Sequence, residues 1–178
     1  QGDMVLGGGI TFTNSDVDGV ESSTSTIAPS FGYFITDDWA LGASLGLAST
    51  EVDGDKLSAT VFSVGASNFF LDMGERTKWF YSISYTNYSG DTADYMGAGA
   101  NTGESASQIS GDLGMTYFMT ENMIMSFGLN NLLSYWKQGD NSAFGSNSLG
   151  SNTTGATNNA FGVSAFQDNT TGSYNNAF

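Results

Sequence analysis

Residues 27–48 alternate between large and small side chains on both sides of a polar break at Asp37-Asp38. Ile27, Pro29, Phe31, Tyr33 and Ile35 share one parity before the break, and Trp39, Leu41, Ala43, Leu45 and Leu47 share one after it. Successive side chains of a strand point to opposite faces, so the pattern predicts a β-hairpin with one apolar face. The other face receives Thr26, Ala28, Ser30 and Gly32, then Ala40, Gly42, Ser44, Gly46 and Ala48. Those residues are too small to fill a core and too uncharged to form the outside of a soluble sandwich. A sheet that turns its bulk outward and its small polar side inward suits a transmembrane β-barrel, where lipid takes the apolar face. The rival is a lipocalin-like barrel with the apolar set inside. Its exterior would be Gly, Ser and Ala with almost no charge, a poorly soluble surface.

The same alternation recurs along the chain and predicts an all-β, eight-stranded antiparallel up-and-down transmembrane β-barrel. Its strands are expected near residues 4–13, 24–36, 39–49, 57–71, 78–88, 106–119, 123–136 and 159–178. In the fourth, where Val61 and Phe62 are both large, Phe62, Val64, Ala66, Asn68 and Phe70 are assigned outward. Acidic or Gly-rich connections (14–23, 50–56, 89–105 and the segment after 136) alternate with tight turns at 37–38, 72–77 and 121–122. Antiparallel pairing puts every tight turn at one end, as in barrels with short periplasmic turns and longer exterior loops. Aromatics at both strand ends fit two membrane-interface belts: Trp39, Trp79 and Tyr117 at the tight-turn end, and Tyr88, Tyr135 and Trp136 at the other.

From residue 141 the text changes to a period of 17: NSAFGSNSLGSNTTGAT, NNAFGVSAFQDNTTGSY, then NNAF. A fixed period points to stacked repeats, so residues 141–178 are alternatively a repeat-containing tail. The competing reading makes 159–178 the eighth strand, which an even strand count favours.

Composition removes several functions. Four basic residues stand against eighteen acidic ones, a net charge of −14 that repels phosphate backbones and argues against nucleic acid as a partner. The chain has no Cys and no His. Without His there is no Ser-His catalytic option, and the usual general base and metal ligand are missing. No run of about 18 apolar residues could cross a bilayer as a helix.

Few side chains invite a chemical role. Asp16, Asp18, Asp53 and Asp55 are weak Ca²⁺ candidates, because their loops lack the spaced ligands and closing Glu of an EF-hand; solvated loop charge accounts for them better. Asp112, on the small-residue parity, is expected in a hydrogen-bond network with Gln108, Ser110 and Thr116. Asp91-Thr92-Ala93 resembles an Asp-Thr-small O-glycosylation motif, which makes Thr92 a candidate acceptor. No catalytic residue, cofactor site or committed metal site emerges.

At Phe31 to Leu47, at Gly114 to Leu129 and at Phe62-Ser63-Val64-Gly65, the sequence resembles the small outer-membrane β-barrel domain family of Gram-negative bacteria. The likeness spans about residues 4–136. The tail's NxAFG and NTTG elements resemble repeats of trimeric adhesin heads and tail-fibre proteins. The family resemblance implies the barrel architecture and not one activity, because members serve as structural proteins, adhesins, narrow porin-like pores or subunits of larger envelope complexes. With His absent, the expectation is a non-enzymatic integral barrel with a structural or accessory role. The alternative is a surface adhesin or fibre protein that uses the repeats. Expected partners are outer-membrane lipid, lipopolysaccharide and other outer-membrane proteins. The expected location is the cell outer membrane, with Gln1 as the mature N-terminus after signal-peptide removal.

Overall fold

Ten strands lie side by side in chain order in the computed structural model, which describes residues 2–17, 20–52, 55–90, 105–120, 123–145, 148–149, 152 and 155–178. The side chains of 15–17, 20, 21, 52 and 55 are outside this description. Seven long strands come first: β1 (Met4–Val17), β2 (Val20–Phe34), β3 (Trp39–Val52), β4 (Asp55–Asp72), β5 (Thr77–Gly90), β6 (Ala106–Thr120) and β7 (Met123–Gln138). Each is antiparallel to the next. Three short strands follow: β8 (Asn141–Phe144), β9 (Asn159–Phe161) and β10 (Asn176–Ala177). β8 is antiparallel to β7, whereas β9 and β10 add in parallel.

The sheet is open, and the eight-stranded closed barrel is not what is observed. Residues 159–178 do not make an eighth long strand; they hold β9, a run of turns and β10. The physical reason is local. Gly145 and Gly162 sit at φ +114° and +130°, a conformation that ordinary side chains rarely adopt, and each turns the chain aside right after an Ala-Phe pair. β8 therefore covers only Tyr135 to Gln138 of β7. The remaining edge of β7 and the outer edge of β1 have no strand beside them among the described residues.

The hairpins also extend further than the sequence pattern suggests. Ladders continue to Val17↔Val20 and Val52↔Asp55, so the expected acidic loops 14–23 and 50–56 are mostly paired strand. Thr11, Thr13, Thr24, Thr26 and Thr50, with Val17, Val20 and Val52, have good β-propensity, which outweighs the local charge. At the opposite end the turns are tight. Thr36 Oγ1 accepts the N–H groups of Asp38 (3.3 Å) and Trp39 (2.9 Å), and Gly74 supplies φ +87° in the 73–76 turn. Lys78 bridges two neighbouring turns by pairing with Asp38 at 3.2 Å and Asp72 at 3.3 Å.

Small residues line one face. In register across the sheet run Val5, Gly32, Gly42, Gly65, Ser84, Ser110 and Ser134. A Cβ on Gly65 would meet the Ile83 carbonyl at 2.8 Å, and one on Gly114 would meet the Phe80 ring at 2.6 Å. Thr86, Gln108, Ser110, Thr116 and Ser134 are buried on this side.

Candidate functional site

The opposite face carries the most conspicuous surface of the molecule. A single register row links Leu6, Phe31, Ala43, Val64, Tyr85, Ile109 and Tyr135, and it passes without a break to Phe144 and Phe161 of the short strands. Parallel rows add Leu41, Leu45, Leu47, Phe62, Ile83, Phe127 and Leu129, all exposed. Exposed apolar area that runs across seven strands far exceeds what a soluble monomer normally shows. On β5–β7 the buried residues are by contrast mostly polar, Thr86, Gln108, Ser110, Thr116 and Ser134, an inversion of the ordinary soluble pattern.

The register also climbs. Phe31 lies close to the tight turn that ends β2, whereas Tyr135 lies near the far end of β7. Such one-directional stagger is the shear that accompanies tilted strands in barrel walls. β1 and β7 both start at the tight-turn end, so they are parallel to each other.

The small-residue face combines aromatic clusters at its two ends with hydrogen bonds between them. Phe34 stacks on Phe69 (centroids 5.5 Å) and Phe69 packs on Phe80 (5.8 Å) at the tight-turn end. Phe69 follows Gly65 and Ser67 on this face and pairs with Phe80, and a bulge at Phe70, between Phe69 and Leu71, leaves both Phe70 and Leu71 exposed on the other. At the other end Tyr88 stacks on Trp136 at 5.3 Å. Between them, Tyr88 Oη donates to Gln108 Oε1 (3.1 Å) and Gln108 Nε2 donates to Asn131 Oδ1 (3.0 Å). The Asn131 N–H then donates to Asp112 Oδ1 (2.7 Å), and Ser82 Oγ donates to Asp112 Oδ2 (2.9 Å).

Asp112 is thus the acceptor that holds a bulge in β7. Gly111 pairs with Leu133 and Leu113 with Leu129, so Asn130, Asn131 and Leu132 bulge opposite Asp112, with Asn131 at φ +55°. The direct partners expected for Asp112 differ from those found. Gln108 reaches it only through Asn131, Ser110 bonds Ser84 at 2.8 Å, and Thr116 bonds Ser126 at 2.9 Å.

Among the aromatics assigned to membrane interfaces, Trp39, Tyr117 and Tyr135 are exposed on the apolar face, and Trp79 is half-buried beside Met115. Tyr88 and Trp136 do not belong with them. Tyr88 is 4% exposed, and Trp136 packs against Ala143, Leu149 and Ala160. Parity was the available signal: Tyr88 follows Ser84 and Thr86 on the small-residue face, and Trp136 follows Ser134. Asp18, Asp53 and Thr92 lie outside the described residues, as do the side chains of Asp16 and Asp55. No cluster of metal-binding side chains occurs among the described residues.

The 17-residue units form a coil whose equivalent atoms stack. The Asn158 N–H donates to Asn141 Oδ1 (2.9 Å), and the Asn175 N–H donates to Asn158 Oδ1 (3.0 Å). Asn141 Nδ2 donates to the Gly155 carbonyl (2.9 Å), just as Asn158 Nδ2 donates to Gly172 (2.7 Å). A second column joins Asn169 Nδ2 to Asn152 Oδ1 at 3.0 Å. Leu149 and Phe166 both sit at φ +53°, and Thr157 and Tyr174 at +60° and +61°. Strained non-Gly positions that recur at the repeat interval mark one coil geometry used twice. Ala143, Leu149 and Ala160 are its buried core, and Ala165 and Phe166 pack against them.

Comparison with family models, curated proteins and solved structures finds no match to this chain.

Proposed function

We propose that the chain forms the wall of a non-enzymatic integral outer-membrane β-barrel protein with a structural or accessory role, whose partners are outer-membrane lipid, lipopolysaccharide and other envelope proteins. The observation that carries this reading is an inverted sheet, with bulk exposed on one face along all seven long strands and Thr86, Gln108, Ser110, Thr116 and Ser134 of β5–β7 buried on the other. In lipid such a sheet buries its apolar face, and its backbone groups stay paired only if it closes. Because β1 and β7 are parallel, antiparallel closure takes one further strand running from the repeat end to the tight-turn end, which would make eight. The aromatic clusters at both ends of the inner face favour a filled barrel over a conducting one. The inner network of Ser, Gln, Asn and Asp has the makings of structural hydrogen bonding rather than of a nucleophile-base pair, since His and Cys are missing.

The test is the state of the protein after export to the outer membrane of a Gram-negative host. Retention in the membrane fraction under carbonate extraction, with heat-modifiable migration in detergent, is the expected result. A chain that remains in solution without detergent would overturn the reading. A second reading, a surface adhesin or fibre that uses the repeats, draws on the stacked asparagine columns at 141, 158 and 175. Binding of cells to a matrix by the full chain, abolished when 141–178 is deleted, would support it.

A further inference from the structure

The short strands do more than append a coil to an edge. Phe144 pairs in register with Tyr135, and Phe161 with Phe144, so the aromatic row of the repeats continues the outward row of the long strands. The Phe144 and Phe161 rings stack with centroids 4.9 Å apart and planes within 10°. Phe161 is 58% exposed. Beside them lies a groove of about 180 Å³ bounded by Tyr135, Phe144, Phe161 and Phe178, whose open surface is almost all carbon. Sugars would need polar groups at such a site to fix their hydroxyls, and this lining offers almost none.

We infer that the Phe144–Phe161 stripe of the repeats is a lipid-contact surface, seated in the interfacial zone of the bilayer and taking acyl-chain segments into the Tyr135–Phe161 groove. This rests on the membrane-barrel reading of the long strands, and continuity with their apolar face selects lipid as the occupant. Tyr135 stands near the far end of β7, where an interfacial aromatic belongs. Strands are spaced ~4.8 Å apart, and at a barrel tilt of ~40° each step along the row rises by roughly 3 Å. Two steps from Tyr135 to Phe161 rise by roughly 6 Å, about the thickness of one interfacial layer outside the hydrocarbon core. The coil would then lie along the membrane surface beside the wall instead of projecting from it.

The absence of Cys makes single labels unambiguous. Phe161→Cys, Phe144→Cys, Leu45→Cys and Asp168→Cys variants of the full chain, each carrying an environment-sensitive nitrobenzoxadiazole label, are reconstituted in phosphatidylcholine–phosphatidylglycerol vesicles. Quenching is read with aqueous iodide and with lipid bearing a nitroxide near the acyl carbonyl. The expected result is a blue-shifted emission at 161 and 144, with several-fold less iodide quenching than at Asp168 and strong quenching by the lipid nitroxide. Iodide access at 161 and 144 equal to that at Asp168, with Leu45 shielded, overturns the inference and leaves the barrel reading standing. Shielding at 161 without quenching by the lipid nitroxide means a protein neighbour covers the stripe and also overturns it. Iodide access at Leu45 itself overturns both.

Discussion

Asn158 stands directly on Asn141: its backbone N–H donates to the Asn141 side-chain oxygen at 2.9 Å, while its own side-chain oxygen accepts from Asn175 at 3.0 Å. Asn158 is 0% exposed, so these bonds have no water to replace them. Asn158→Ala removes the donor to Gly172 and the acceptor for Asn175 together. A buried group left unpaired costs about 1–3 kcal/mol. Hydrogen exchange should therefore speed up by roughly ten-fold or more at the Asn175 amide. The amides of β3 and β4, far from the coil, should keep their wild-type rates.

Gly155→Ala should damage the coil in a different way. A Cβ there would run into the Gly172 carbonyl oxygen and would come within 2.5 Å of Asn152 Oδ1. Overpacking of this kind costs about 1–3 kcal/mol, seen as faster exchange throughout 155–178. Gly9→Ala is the control, since its Cβ would have nothing within 4 Å. It should leave exchange unchanged.

Asp112→Ala should loosen the β7 bulge. It strips acceptors from the Asn131 N–H and from Ser82, a loss of about 1–3 kcal/mol in urea unfolding of the detergent-folded protein. Asp112→Asn keeps an oxygen able to accept from one of them. It should cost less than the alanine change, and an equal loss for both would mean that the bulge depends on charge.

Placing a cation on the outward face tests lipid exposure by depth. Phe127→Lys lies within the apolar band, where a lysine near the bilayer midplane costs about 2–4 kcal/mol, falling to about 0–1 near the interface. Met73→Lys, at a tight turn, represents the shallow case. Refolding into phosphatidylcholine vesicles along a urea gradient should show a clear midpoint shift for the first and little for the second. Equal shifts would contradict burial of Phe127 in lipid.

The long strands were legible because alternation is a local property. Once Leu41, Leu45 and Tyr81 are seen to share a parity, sheet geometry places them on one face. Bulges were not legible, since the two-residue excess at Asn130 to Leu132 depends on Asp112 from another strand. Position along a strand also misled where parity should have ruled. Tyr88 and Trp136 stand at strand ends like interface aromatics, yet they belong to the inward set and find each other there. The extent of pairing beyond residues 13 and 49 was hidden because acidic residues read as loop, while the Thr and Val around them favour the ladder. In the tail the repeat length was visible, but its form turned on Gly145 and Gly162, whose positive φ diverts the chain before a long strand can develop.

The asparagine columns also carry a consequence for how such a chain can vary. Each coil bonds chiefly to the one before and the one after it, so gaining or losing a whole 17-residue unit changes the height of the stack without disturbing its cross-section. An insertion of any other length would set Asn against Thr or Gly and break both columns at once. Duplication and deletion in steps of 17 are therefore the tolerated route of length variation, and related genes should differ in repeat number far more readily than in repeat size.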